Sequence, residues 1–193
     1  ALEWALRGLE TLTATIGPRH PSLSTSYSNV GLLLEELGRL SEAREMLEKA
    51  ADLEREYGGE DSAFLADVLT NQGVLESQAG NPEAALRYWQ RAYEIWLARQ
   101  GPTHPDVALA RGNLAVAYLD LGRLEDAERE IEAALEGYQM QDVPEPLLIL
   151  RARTNLGHIA IRREEWAKAR EHLNAALAMS PSGDQHPERA SVL

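Results

Sequence analysis

The chain has 193 residues, 44% hydrophobic and 26% charged, with a formal net charge of -12. That balance describes a soluble, foldable chain and excludes nucleic acid as the main partner, because backbone phosphates demand a basic face; it also disfavours anionic membranes. There are no cysteines, which excludes disulfides and thiolate metal sites and fits a reducing, cytoplasmic setting.

Ala, Leu, Glu and Arg dominate and Phe occurs once, so the expected fold is all-α. No apolar run approaches the ~18 residues of a membrane helix. A strict beat runs through the whole chain. Asn29, Asn71, Asn113 and Asn155 lie 42 residues apart, and so do Ala43, Ala85, Ala127 and Ala169, and Ala50, Ala92, Ala134 and Ala176. Self-similarity at such a period predicts stacked helical repeats.

Residues 1–16 read as the second helix of a truncated preceding repeat, because Ala1-Leu2-Glu3-Trp4 aligns with Ala43-Arg44-Glu45-Met46. Residues 17–58 form repeat 1, with helices predicted over 21–37 and 41–57. Gly38-Arg39-Leu40 joins them; Gly38 supplies the left-handed conformation that ends a helix, and Ser41 reads as an N-cap. Residues 59–100 form repeat 2, which turns at Ala79-Gly80-Asn81-Pro82, and residues 101–142 form repeat 3, which turns at Leu121-Gly122-Arg123-Leu124. Residues 143–182 form repeat 4, where Glu164 stands in the slot of the turn glycine. Residues 183–193 read as the start of a truncated following repeat.

The loops between repeats carry their own signature. Gly17-Pro18-Arg19-His20-Pro21 and Gly101-Pro102-Thr103-His104-Pro105 are two periods apart, Gly59-Glu60-Asp61-Ser62-Ala63 is a degenerate copy, and Gly183-Asp184-Gln185-His186-Pro187 is another. The proline suits the first turn of the next helix. Repeat 4 instead opens on Val143-Pro144-Glu145-Pro146. Within each second helix the two alanines, seven apart, share a face and let two backbones approach. The larger Leu47, Trp89, Ile131 and Leu173, one per repeat, fill the space beside them.

The Gly-Arg turn, the paired alanines, and the small residues Gly31, Gly73, Ala115 and Gly157 resemble tetratricopeptide repeats. The Gly-Pro-x-His-Pro loop and the 42-residue period resemble the kinesin-light-chain subclass of that family. Its usual unit has ~34 residues; the eight extra here would lengthen both helices by about a turn. The Arg-over-Lys, Ala- and Leu-rich composition associates with a bacterial relative. The resemblance implies a right-handed superhelical solenoid of antiparallel helix pairs that acts as a protein–protein interaction scaffold. It implies a concave groove lined by the first helices, with no cofactor and no catalytic residue. The groove residues so implied are Asn29, Asn71, Val74, Leu109, Asn113, Val116, Leu119, Arg151, Asn155, His158 and Arg162. Ser28, Thr70, Gly112 and Thr154 fall on the same inward face. In the kinesin light chains a second asparagine commonly stands at that place.

An Asn inside a helix is mildly unfavourable, yet it recurs four times. Its amide donates and accepts together, which suits a peptide backbone, and it equally suits bonding to a neighbouring repeat. The expected groove is acidic early (Glu35, Glu36, Asp67), apolar in the middle (Val74, Leu109, Val116, Leu119) and basic late (Arg151, Arg162, with Arg153 and His158). An extended segment with an apolar centre, its acidic part over repeat 4, would complement it.

Enzyme motifs are absent: there is no H-E-x-x-H, no phosphate-binding glycine loop and no nucleophile elbow. His20, His104 and His186 belong to the loop signature and read as helix starts. His172 reads as a surface or repeat-interface residue. Trp89 and Trp166 read as core or repeat-interface packing rather than a stacking platform. The expected partner is therefore a protein or peptide. Two rival readings remain: a regulatory or sensor segment of a larger protein whose protease- or ATPase-like domain lies elsewhere, and a homo-oligomer joined through exposed ends of the solenoid.

Overall fold

A computed structural model describes residues 1–141 and 145–179, and among these it contains nine helices and no strand. They are α1 (Leu2–Ile16), α2 (Leu23–Glu36), α3 (Leu40–Tyr57), α4 (Ala63–Gln78), α5 (Pro82–Gln100), α6 (Pro105–Asp120), α7 (Leu124–Gln139), α8 (Pro146–Arg162) and α9 (Trp166–Met179). The chain divides into two units, Ala1–Arg99 and Gln100 onward. The first holds α1 to α5, the second α6 to α9. The sequence readings at Val143, Pro144 and 183–193 fall outside the described residues.

Helix pairs form because every first helix is followed by the same hairpin turn. Gly38, Gly80 and Gly122 have φ of 71°, 77° and 71°. The residue after each glycine sends its N–H five residues back: Arg39 to the Leu34 carbonyl at 2.9 Å, Asn81 to Glu76 at 2.9 Å and Arg123 to Tyr118 at 2.8 Å. This is the six-to-one bond of a left-handed helix stop. The fourth turn repeats it without glycine. Glu164 has φ 60°, and Glu165 N–H still reaches the Ala160 carbonyl at 2.9 Å.

The predicted alanines line the pair interfaces. Ala43, Ala50, Ala85, Ala92, Ala127, Ala134, Ala169 and Ala176 are all buried, as are Leu47, Trp89 and Ile131; Leu173 is half-buried. Each large residue fits against a small one. A Cβ added at Gly31 would lie 2.9 Å from Leu47, at Gly73 2.3 Å from Trp89 Nε1, and at Gly157 2.6 Å from Leu173. Trp89 Nε1–H also donates to the Thr70 carbonyl at 3.1 Å, so the indole is buried without an orphaned donor. Burying each large side chain stabilises by about 1.5–3 kcal/mol.

In the first unit, Arg44 of α3 donates to the nearly buried Glu76 of α4 at 2.7 Å. Asn81 Nδ2, in the next turn, donates to the same carboxylate at 2.8 Å. Arg44, then Asn81, hold the Glu76 carboxyl below the ordinary glutamate range, against the opposing effect of burial.

Three expectations are corrected. Ser41 is not an N-cap: α3 starts at Leu40 behind Arg39, whose carbonyl takes Glu42 and Ala43 N–H at 3.1 and 3.0 Å, so backbone closes that end without a side chain. Pro21 does not begin α2, which starts at Leu23 after a turn, whereas Pro105 does begin α6. Trp166 is 61% exposed rather than packed. It is the first residue of α9, ahead of the alanine face that packs.

Glu164→Gly is expected to stabilise the chain by about 0.5–1 kcal/mol: a left-handed non-glycine residue costs about 1–2 kcal/mol, and glycine's lost entropy offsets part of the relief. Urea unfolding followed by circular dichroism checks it. Arg44→Ala should cost about 1–2 kcal/mol at pH 7, because it strips a buried carboxylate of its cation while solvent screens part of the loss. Glu76 titrates below its unfolded range, so this contribution is present above that range and is lost as pH falls through the folded value. The gap between the Arg44→Ala and unsubstituted chains should therefore close on acidification, measured as unfolding free energy from pH 7 to 3.

Candidate functional site

The candidate site lies in the second unit and is built on the phase of α6. His104 caps that helix: its Nδ1 accepts the Asp106 N–H at 3.3 Å. Pro105 follows with its fixed φ. From this start Leu109, Asn113, Val116 and Asp120 recur at helical spacing on one face. On α8 the matching residues are Leu148, Arg151, Asn155, His158 and Arg162.

These two faces line a cleft. Leu109, Asn113 and Val116 form one wall; Leu148, Arg151 and Asn155 form the other; and Ile131, Ala134 and Tyr138 of α7 lie at its floor. A second depression continues along the same helices, lined by Leu119, Asp120, His158, Ile161 and Arg162. Asn155 lines both. Leu109 and Ile161, at 42% and 40% exposed, leave large apolar surface facing solvent. Five of the expected groove residues on α6 and α8 thus line the first cleft, Asn155 among them, with Leu119, His158 and Arg162 in the second depression. Arg151 and Arg162 are exposed and enter no ion pair among the described residues.

The first unit carries the other three. Asn29 of α2 is exposed, while Asn71 and Val74 of α4 are half-buried. On that face Gln78 Nε2 donates to Glu35 at 2.8 Å. Burial raises the Glu35 carboxyl above its ordinary range, the Gln78 bond lowers it, and neighbouring Glu36 raises it again.

The position before each asparagine is more tightly packed in two copies. Ser28 and Thr154 are buried. Thr70 and Thr154 donate their hydroxyls to their own helix, to the Ala66 and Leu150 carbonyls at 2.8 and 2.9 Å. Gly112 nevertheless borders the cleft, and Thr154 lines a depression with Val116, Asp120 and Asn155, so in this unit the position keeps its expected inward face.

The residue that sequence reasoning missed is Tyr138. It is 3% exposed, and its hydroxyl lies 2.6 Å from where a Cβ on Gly112 would stand. Burial pushes the phenol up to about 12, with Arg151 pulling the other way. One signal was available: Gly112 sits where the other copies have Ser28, Thr70 and Thr154, and a mid-helix glycine marks a close approach.

The remaining histidines keep structural places. His20 Nδ1 accepts the Ser22 N–H at 3.2 Å, and His172 on α9 is half-buried with its Nδ1 unbonded. His186 lies outside the described residues. Among the described residues no group of three or more His, Asp or Glu is placed to hold a metal ion, and no helix is long and apolar enough to cross a membrane.

The tetratricopeptide repeat model matches residues 1–56, 26–96 and 64–140. The chain belongs to the tetratricopeptide repeat family. The clustered mitochondria protein homologues of Aspergillus clavatus and Coccidioides immitis are each 29% identical over 133 residues, 69% of this chain. That stretch is 11% and 10% of their own lengths, so the chain spans about a tenth of the curated relatives it matches. These relatives are fungal, and the association of the composition with bacteria gains no support from them. Solved structures share the fold. BtubC (BKLC) from P. vanneervenii is 24% identical with a TM-score of 0.78, covering 86% of this chain and 70% of its own. A kinesin light chain-type protein of Podosopora anserina with nearly identical TPR-like repeats is 17% identical with a TM-score of 0.76, covering 96% and 88%. YrrB, a TPR protein with an unusual peptide-binding site, is 22% identical with a TM-score of 0.66, covering 94% and 79%. The fold is thus that of kinesin light chain-like tetratricopeptide solenoids. It supports protein–protein interaction, and scaffolds of this kind are generally non-catalytic.

Proposed function

We propose that this chain is a cytoplasmic interaction scaffold that holds an extended segment of a partner protein against α6 and α8, with Asn155 at the centre. The observation that carries the reading is the shared position of Asn155. It borders both the first cleft and the second depression, where one amide can both donate to and accept from a peptide backbone. Asn113 stands across from it on α6. Arg151 and Arg162 give the α8 wall its positive charge, which suits an acidic stretch in the partner and opposes the chain's overall charge of -12. Asn29, Asn71 and Val74 would offer a similar surface on the first unit. The repeat boundaries, 17–58, 59–100, 101–142 and 143–182, belong to the same reading. Neither nucleic acid nor a membrane is the partner proposed.

A second reading rests on length. Because the chain spans about a tenth of its curated relatives, the scaffold would serve as the docking or regulatory segment of a longer protein. Both readings place recognition on the same helices.

The test uses one peptide selected from a random dodecapeptide display library on the whole chain, then synthesised and titrated calorimetrically. Asn155→Ala, and Arg151→Glu combined with Arg162→Glu, should each weaken it by at least about tenfold. Unchanged affinity in both variants would show that the peptide binds elsewhere.

A further inference from the structure

Tyr138 is built expensively for a residue that only fills space. Its ring is buried against the Ala108, Ala134 and Ile149 cluster, a task Phe performs equally well. Its hydroxyl makes no hydrogen bond to another described residue, yet it is not among the side-chain atoms sealed from solvent without a partner. The oxygen therefore opens on the cleft it borders. Room for it comes from Gly112, where a Cβ would stand 2.6 Å from the hydroxyl. A glycine inside a helix weakens that helix, yet the chain keeps one here, under one wall of the cleft, where it leaves the hydroxyl room.

The group beside that point is a cation. Arg151 acts electrostatically on Tyr138, and among the residues lining this cleft it is the sole charged one. A neutral phenol and a guanidinium are both donors toward an acceptor between them. The second depression is different, since Asp120 and Arg162 both line it and bring charges of both signs.

We propose that the Tyr138 hydroxyl and the Arg151 guanidinium together read a carboxylate, the Asp or Glu side chain of a bound peptide whose neighbouring residues are apolar. This deepens the scaffold reading above and rests on it. One cation and one neutral donor match a single negative charge; a phosphate dianion calls for more cations. Leu109, Val116 and Leu148 supply the apolar contacts on either side.

The test takes the library-selected peptide and its Glu→Gln or Asp→Gln counterpart. Both are titrated against the unsubstituted chain, Tyr138→Phe and Arg151→Gln. Circular dichroism and thermal unfolding establish that each variant folds. The unsubstituted chain should prefer the acidic peptide by at least about tenfold, the worth of charge-assisted hydrogen bonds. Tyr138→Phe should cut that preference several-fold while leaving affinity for the amide peptide nearly unchanged, and Arg151→Gln should do the same. Gly112→Ala, which crowds the hydroxyl from the backbone side, should lower the preference as Tyr138→Phe does. If Tyr138→Phe keeps the full acid preference, or the library yields no acidic residue, the carboxylate reading is overturned although Asn155→Ala may still abolish binding. If Asn155→Ala and the double charge reversal leave binding intact, the scaffold reading itself is lost.

Discussion

The structure depends on one constraint, a small residue held against a large one sixteen positions later. Gly31 meets Leu47, Gly73 meets Trp89 and Gly157 meets Leu173, each at a distance that leaves no room for a Cβ. Ala115 and Ile131 share a core cluster in the third copy. Because the two helices of a pair run antiparallel, one such contact fixes both their separation and their register. The hairpin turn then has a fixed gap to span, and the same six-to-one bond closes all four turns. The fourth turn shows the strength of that demand. Glu164 is driven to φ 60° rather than the turn being rebuilt, so packing overrides the local preference against left-handed backbone.

The fold was legible because packing at this contact tolerates so few residue types. Only a small side chain fits at position 31 and its equivalents, and only alanine or similar at positions 43 and 50, so selection by geometry leaves a periodic trace. Helix ends were less legible. Ser41 resembles an N-cap, but Arg39 and the turn backbone already satisfy the first N–H groups of α3. Pro21 and Pro105 stand in the same loop sequence, yet only Pro105 opens its helix. Loop conformation depends on neighbours that a local motif omits. Trp166 misled for a related reason. Its counterparts Leu40 and Leu124 are half-buried at the start of their helices, but a larger ring at that edge extends into solvent.

The candidate site was legible where placement on the cleft and periodicity coincide. Asn113 and Asn155 stand out because they recur against helix propensity, and the structure brings both to one cleft. Arg151 could be assigned to the face by its offset from Asn155. Tyr138 could not, because nothing about it repeats. Its register one and two copies earlier holds Trp96 and Glu54, and a reading tuned to identity across copies discards such a position. The trace was on the partner helix, in the lone glycine at 112.

That register shows where this scaffold is free to vary. Glu54, Trp96 and Tyr138 each lie seven residues beyond the large packing residue of their helix, on the same face two turns on. Opposite them, seven residues before each small residue, stand Ser24, Ala66 and Ala108, all buried. In the first copy the pair is polar: Glu54 takes the Ser62 hydroxyl hydrogen, shares that of Ser24 with the Ala50 carbonyl, and ties the start of α4 to the end of α3. In the second, Trp96 buries an indole there, 8% exposed. In the third, Tyr138 passes Ala108 and reaches the Gly112 wall, which brings its hydroxyl to the cleft surface. The small-against-large contact two turns away is unaffected by any of these choices. It sets the helix separation, and the variable register then decides whether the space beneath the first helices is closed by an ion, filled by carbon, or left with a polar group facing outward. A repeat protein with one rigid contact per copy can in this way place a single specific hydroxyl under an otherwise repetitive surface.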